Sequence, residues 1–362
     1  MTTITWPHVF TTLLGGTSLT TRQATWAMDQ IMSGRATSAQ IAAFAIALRA
    51  KGESVAEVAG LADGMLARAA AIRISGDPVD LVGTGGDRAN TVNISTMAAI
   101  VAAAAGVKVV KHGGRAASSM AGAADVLEEL GVVIDLPPAA VVEVADEVGI
   151  TFCFAPAFNP AMKRTSGARR ELGVPTVFNF LGPLTNPALP PAQAVGVYHP
   201  SIAPIIAGVL AERGGSSLVF RGDDGLDELT ICGPSTIWVV RRGTVTPTVF
   251  DPLDLSIPRA HPDDLRGGDA RHNARVARAV LGGARGPVRD IVLLNAAAAV
   301  VAADGTPPAS DLTPALSAAY KRAADAVDSG AAQSLLTRWS VATQTAATTF
   351  SPHSVRTQSR TP

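Results

Sequence analysis

The sequence predicts an α/β fold: a helical N-terminal domain, then a larger α/β domain with a mainly parallel central sheet flanked by helices. Three observations carry that expectation. Three helix-start signatures fall within the first seventy residues. From Pro78 onward a strand–loop–helix rhythm sets in, with glycines in the loops, which is the pattern of a parallel sheet. The chain has 362 residues, 47% of them hydrophobic, enough to bury a large core and to form two domains.

The elements follow in order. Thr20-x-x-Gln23, Thr37-x-x-Gln40 and Ser54-x-x-Glu57 each match a capping box, in which two side chains satisfy orphan amides at a helix start. Behind the first, Ala24, Ala27, Met28 and Ile31 share one face, and Gly34 supplies a stop. Ile41, Phe44, Ala45 and Leu48 do the same up to Gly52, and Val58, Leu61, Ala62 and Met65 continue the pattern. Val79, Leu81 and Val82 make a short strand. A helix over 96–105 follows, stopped by Gly106, then a strand over 107–110 and a helix from Ser118 or Ser119 to Gly131. Further strands are expected over 193–198, 217–220 and 230–232. Further helices are expected over 204–213, 274–281, 288–303 and 313–329. The tail from about 343 to 362, rich in Thr, Ser and Gln, reads as disordered.

Charge excludes some partners. Lys and Arg number 30, as do Asp and Glu, so no net field draws the chain to nucleic acid or an anionic membrane. Cys153 and Cys232 have no metal-type spacing and read as free thiols of a reducing compartment. The first fifteen residues show no secretory pattern. The longest apolar run, 291–303, is interrupted by Asn295 and is too short to span a bilayer. The expectation is a cytoplasmic protein with no membrane partner.

The chemistry concentrates in a few loops. Gly83, Thr84, Gly85, Gly86 and Asp87 follow the first strand, where open α/β sheets bind ligands and glycines let backbone amides approach a polyphosphate. A plain tight turn is the alternative. Asn93, Ile94, Ser95 and Thr96 open the next helix, an anion site by hydroxyl and free amide, or ordinary capping. Lys111, His112, Gly113, Gly114 and Arg115, with Ser118 and Ser119, equip a second strand-end turn. Taken alone, Lys111 also fits a solvated surface. Two adjacent turns built for phosphate suggest a ligand with two separate phosphate groups. Asp227 and Glu228, in an acidic run from Asp223, suit a magnesium ion held against pyrophosphate. The alternative is an acidic surface turn, the reading kept for Asp223 and Asp224. Arg169 and Arg170 suit a bidentate carboxylate grip or surface ion pairs.

In this order, GTGGD, NIST, KHGGRAASS, RRELGVPTVFNFLGPLTNP, DGLDE and RDIVLLNAAAA resemble the anthranilate phosphoribosyltransferases, from the first helices to about Trp339. The resemblance implies transfer of the phosphoribosyl group of phosphoribosyl pyrophosphate to anthranilate, an early step of tryptophan synthesis. It implies donor binding by Gly83 to Asp87, Thr91, Asn93 to Thr96 and Lys111 to Ser119. It implies two magnesium ions, one on Ser95 and Glu228 and one on Asp227 and Glu228. The acceptor side takes Gly83, Gly114, Asn159, Met162 and Arg169, with Arg169 facing the acceptor's carboxylate. It also implies a homodimer and a discontinuous helical domain: residues 1–72 with a returning segment near 163–183, against an α/β domain of 73–162 and 184–342.

Two positions depart from the family pattern. Gly114 stands where Asn is usual, and Asn159 where His usually precedes Pro-Ala-Met. Losing a buried hydrogen-bond partner costs about 1–3 kcal/mol, or roughly ten- to a hundredfold in affinity. A different aromatic amine or acid as acceptor is therefore the main alternative. A pyrimidine nucleoside phosphorylase and a non-catalytic nucleic-acid-binding paralogue are the remoter ones.

Overall fold

The three capping boxes form as expected, and each sets the start of a helix. Helices α1 (Trp6–Leu14), α2 (Thr21–Met32), α3 (Ser38–Lys51) and α4 (Val55–Leu66) build the N-terminal layer. Thr20, Thr37 and Ser54 each accept from the amide three residues on, and Gln23, Gln40 and Glu57 reach back. Of these four helices, only α1 lacked a sequence expectation. The computed structural model describes residues 3–116 and 119–350.

The remaining elements alternate. β1 (Val79–Gly83), α5 (Ile94–Ala104), β2 (Val109–Gly113), α6 (Ala123–Glu129), α7 (Pro138–Val148) and β3 (Ile150–Phe154) come first. A short α8 (Ala155–Phe158) and α9 (Ser166–Leu172) return toward the helical layer, where α9 packs on α3. Then follow β4 (Ala192–Gly196), α10 (Ala203–Glu212), β5 (Ser216–Gly222), β6 (Ser235–Arg241) and β7 (Thr244–Phe250). Helices α11 (Ala270–Leu281), α12 (Pro287–Ala303), α13 (Leu312–Asp328) and α14 (Ala331–Thr349) complete the described chain.

The seven strands form one sheet in the order β3-β2-β1-β4-β5-β6-β7. The first five run parallel, and β6 and β7 add an antiparallel hairpin edge. Alternation along each strand separates two cores. Leu81, Ala194, Leu218 and Phe220 face the core made with α5, α12, α13 and α14. Val82, Val195 and Val219 face a second core with α10, the N-terminal helices and the 177–184 segment. The strand order reverses direction between β1 and β4, and a crevice opens outside the carboxyl ends of the strands at such a point.

Three expectations are corrected. Residues 230–232 are not a strand. The Thr230 amide donates to Ser235 Oγ, its hydroxyl donates to Asp224, and the Cys232 amide donates to Thr230 Oγ1. These side-chain bonds replace a ladder. The tail does not begin at 343: α14 runs to Thr349, with Ala342 and Ala346 buried, and Thr343 Oγ1 accepts from the Val133 amide at 3.0 Å. Residues 351–362 lie outside the described residues. The helix expected from Ser118 or Ser119 starts instead at Ala123, where Asp125 takes the Gly122 and Ala116 amides.

Candidate active site

A cleft of about 680 Å³ lies over the ends of β1 and β2. It is lined by Gly83, Thr84, Gly85, Gly86 and Asp87, by Thr91, Asn93, Ile94 and Ser95, and by Lys111, His112, Gly113, Gly114, Arg115 and Ser119. Arg169, Asp227 and Glu228 complete it from two other segments. Most of the residues singled out from the sequence thus meet in one place, drawn from four stretches of chain. Thr96 is buried beneath the cleft rather than lining it. Asn159 and Met162 do not line it either: Asn159 is buried and its amide donates to the Met65 carbonyl. Ser118 lies outside the described residues.

Two glycines explain how the acidic loop reaches the phosphate loop. Gly83 and Gly196 are register partners at the ends of β1 and β4. A side chain on Gly83 would collide with Asp227 Oδ2, and one on Gly196 with the Asp227 carbonyl. With neither present, the segment after β5 settles on the strand ends. Asp227 then accepts from the Gly85 amide at 2.7 Å. Glu228 accepts from the Ser95 amide at 3.1 Å, in the first turn of α5, where a carboxylate is favoured by the helix dipole.

Glu228 is buried and Asp227 is half-buried at the cleft surface. Burial and then repulsion from Asp87 push Asp227 up to about 8, while burial and repulsion from Asp227 push Glu228 well up. The one cation beneath them among the described residues is Lys111. Its ammonium is buried, donates to the Leu81 carbonyl and to Ser95 Oγ, and is pulled down by that burial against the attraction of Asp80, Glu228 and Asp227. Asp80 anchors the floor: it accepts from the His112 amide and from Asn186, and burial lifts it to about 6. His112 is held neutral, lowered to about 4 chiefly by burial, and its ring meets the Gly182 carbonyl at 3.1 Å. It is thus a packed floor residue whose ring is uncharged at neutral pH.

The donor set fits a hard cation. Asp227, Glu228 and Ser95 offer oxygen only, and their two carboxylates exceed the charge that Lys111 supplies. Among the described residues no group of three or more His, Cys, Asp or Glu forms a closed cage. A magnesium ion takes the rest of its ligands from substrate and water.

Arg115 is not aimed at the phosphate loops. It is engaged by Asp125 and Glu128 and stacks on Phe154. Arg169 is half-buried on the cleft wall, its guanidinium has no hydrogen-bond or ion-pair partner among the described residues, and burial lowers its proton affinity. Among the described residues, a side chain added at Gly114 would meet nothing within 4 Å, so that wall is open to them. Sequence reasoning missed Asn90, Asn179 and Tyr198 as lining residues. It also missed the supports Asp80, Asn186 and Gly196. The one available signal was Gly196 closing a strand beside another strand that ends in glycine.

No helix among the described residues is long and apolar enough to cross a membrane. The chain is similar to known proteins. A model described as "Glycosyl transferase family, a/b domain" matches residues 75–333, and "Glycosyl transferase family, helical bundle domain" matches residues 7–69. Anthranilate phosphoribosyltransferase of Thermobifida fusca is 63% identical over 335 residues, 92% of this chain and 96% of the relative. That of Arthrobacter sp. is 58% identical over 339 residues, 92% of this chain and 95% of its own. The crystal structure of the Thermus thermophilus anthranilate phosphoribosyltransferase matches with a TM-score of 0.86 at 39% identity, over 93% of this chain and 99% of that one. The Saccharomyces cerevisiae enzyme, in complex with PRPP and Mg, matches at 0.84 and 26% identity, over 94% and 98%. The chain therefore belongs to the glycosyl transferase family built from a helical bundle and an α/β domain, among its anthranilate phosphoribosyltransferases.

Proposed function

We propose that this cleft transfers the phosphoribosyl group of phosphoribosyl pyrophosphate to anthranilate, giving N-(5-phosphoribosyl)anthranilate and pyrophosphate. The observation that carries this is the juxtaposition of the Gly83–Asp87 loop, the α5 N-terminus and the Asp227–Glu228 pair. It supports a site for a metal-chelated sugar pyrophosphate, with acceptor room toward Gly114 and Arg169.

Backbone amides of the 83–87 loop and the first turn of α5 hold the pyrophosphate oxygens. Asp227 and Glu228, with Ser95, would hold two magnesium ions against it. When bound, magnesium stabilises the negative charge that grows on the departing pyrophosphate as the ribose C1–oxygen bond breaks. Lys111 adds positive charge beneath the same carboxylates. Arg169 pairs with the acceptor's carboxylate and so aligns its amine with C1. The amine lone pair forms the new C1–nitrogen bond, the C1–oxygen pair leaves with pyrophosphate, and the amine proton passes to solvent. An arylamine needs placement more than activation, which suits a site whose histidine stays neutral. A homodimer belongs to the same reading.

The test is pyrophosphate release from the donor with Mg²⁺ and a panel of aromatic amines and acids. Saturable turnover that is fastest with anthranilate is expected. A faster alternative acceptor would overturn the acceptor assignment, and no release with any acceptor would overturn the reaction.

A further inference from the structure

The apolar run of α12 is broken at Asn295, which is fully buried. Asparagine is a poor helix former, and its amide is costly to bury without partners. Here the amide is used. Asn295 Oδ1 accepts from the Leu229 amide at 2.9 Å, and Nδ2 donates to the Leu229 carbonyl at 2.9 Å and to the Ile291 carbonyl at 2.9 Å. The first two bonds close a ring on one residue of backbone that lies outside any strand. Leu229 directly follows Glu228, and its own side chain is fully buried.

The same segment is tied upstream. Asp224 accepts from the Leu226 amide and from the Thr230 hydroxyl, and the Asp227 main chain rests on Gly196. Those ties come from the loop and the sheet. Asn295 supplies the tie from the helix layer. The carboxylates of the neighbouring Asp227 and Glu228 repel each other, and Glu228 is the buried one, so an untethered segment would let it swing toward solvent. A double bond from a packed helix opposes that movement at the residue next to Glu228.

We propose that Asn295 is a positioning residue that holds Asp227 and Glu228 in register for the divalent cation. This rests on the metal reading of that pair given above. Groups that orient metal ligands typically alter metal affinity about 10- to 100-fold when removed, whereas a purely structural asparagine would alter only stability.

The test compares Asn295→Ala and Asn295→Asp with Leu294→Ala, a fully buried neighbour on α12 that makes no bond to the 223–229 segment. Mn²⁺ binding is followed by electron paramagnetic resonance with and without the donor, alongside thermal unfolding and steady-state kinetics. In both Asn295 variants the Mn²⁺ dissociation constant and the half-activating Mg²⁺ concentration should rise at least about tenfold. The KM for anthranilate should not change, and excess Mg²⁺ should restore turnover. Leu294→Ala should unfold at lower temperature but bind Mn²⁺ as the unmodified chain does. Unchanged Mn²⁺ binding in the Asn295 variants, or an equal loss in Leu294→Ala, overturns the positioning role alone. If the unmodified chain with donor binds no Mn²⁺, the metal reading fails together with it.

Discussion

At Asp227, function and stability oppose each other. The carboxyl binds its proton more tightly folded than unfolded, since burial and Asp87 push it up to about 8 from a usual 3.8. The metal-free chain therefore loses stability as pH rises from about 4 through about 8. Asp227→Asn should remove that slope: its unfolding temperature should exceed the parent's at pH 8 and gain nothing at pH 4, as read by calorimetry in EDTA. Turnover should fall roughly 10²- to 10³-fold, the scale of a lost electrostatic stabiliser. Arg169 tests the other end of the cleft. Arg169→Ala should raise the anthranilate KM roughly ten- to a hundredfold and leave the donor KM within about twofold, measured by varying each substrate in turn. Equal effects on both substrates would remove Arg169 from the acceptor side. Both residues stand out in the sequence, in DGLDE and RREL. Lys111 stands out too, in KHGGR, but its depth does not: residue type alone suggests solvent, whereas β2 buries its whole length.

Among elements, α4 shows how far a local signal reaches. Ser54-x-x-Glu57 reads as a capping box, and it is one. The sequence does not disclose that Glu57 is fully buried, that it also accepts from the Leu19 amide at 2.8 Å, or that it pairs with Lys51 at 2.8 Å. One carboxylate thus caps α4, fixes the turn before α2 and neutralises the end of α3. Breaking a buried ion pair on one side costs about 3–5 kcal/mol, so Glu57→Ala should lower stability by that order in chemical denaturation. Gly60 sets the approach of α4 to α2: an added methyl would strike the Thr21 carbonyl. The β6–β7 hairpin escaped notice because its turn is Arg242-Gly243, both at positive φ, rather than Asn-Gly, and because β7 is mostly exposed and carries Pro247. That proline sits on an edge strand, where a missing amide is tolerated.

Over the whole molecule, the cleft depends on segments far apart in the chain. The 83–87 loop, α5, the 223–229 segment and α9 meet only when both faces of the sheet are packed. Bound donor should therefore stabilise the assembly. At a hundredfold excess over its dissociation constant a ligand adds about 2.7 kcal/mol. The unfolding temperature should rise by about 3 to 4 °C with donor and Mg²⁺, and most of that rise should vanish with EDTA. A shift that ignores EDTA would argue against a metal-chelated donor.

Local signals were legible before any fold was known: the capping boxes, the first strand with its glycine-rich turn, and the polar loops that interrupt apolar runs. Those signals depend on backbone satisfaction and side-chain periodicity within a few residues. Packing in three dimensions was needed to bring Gly83 and Gly196 side by side and admit Asp227, to draw Arg115 to Asp125 and Glu128, and to join Asn295 to Leu229. These are contacts between residues tens to more than a hundred positions apart. They depend on strand order and on which face each residue turns to the sheet, and no short window of sequence encodes either.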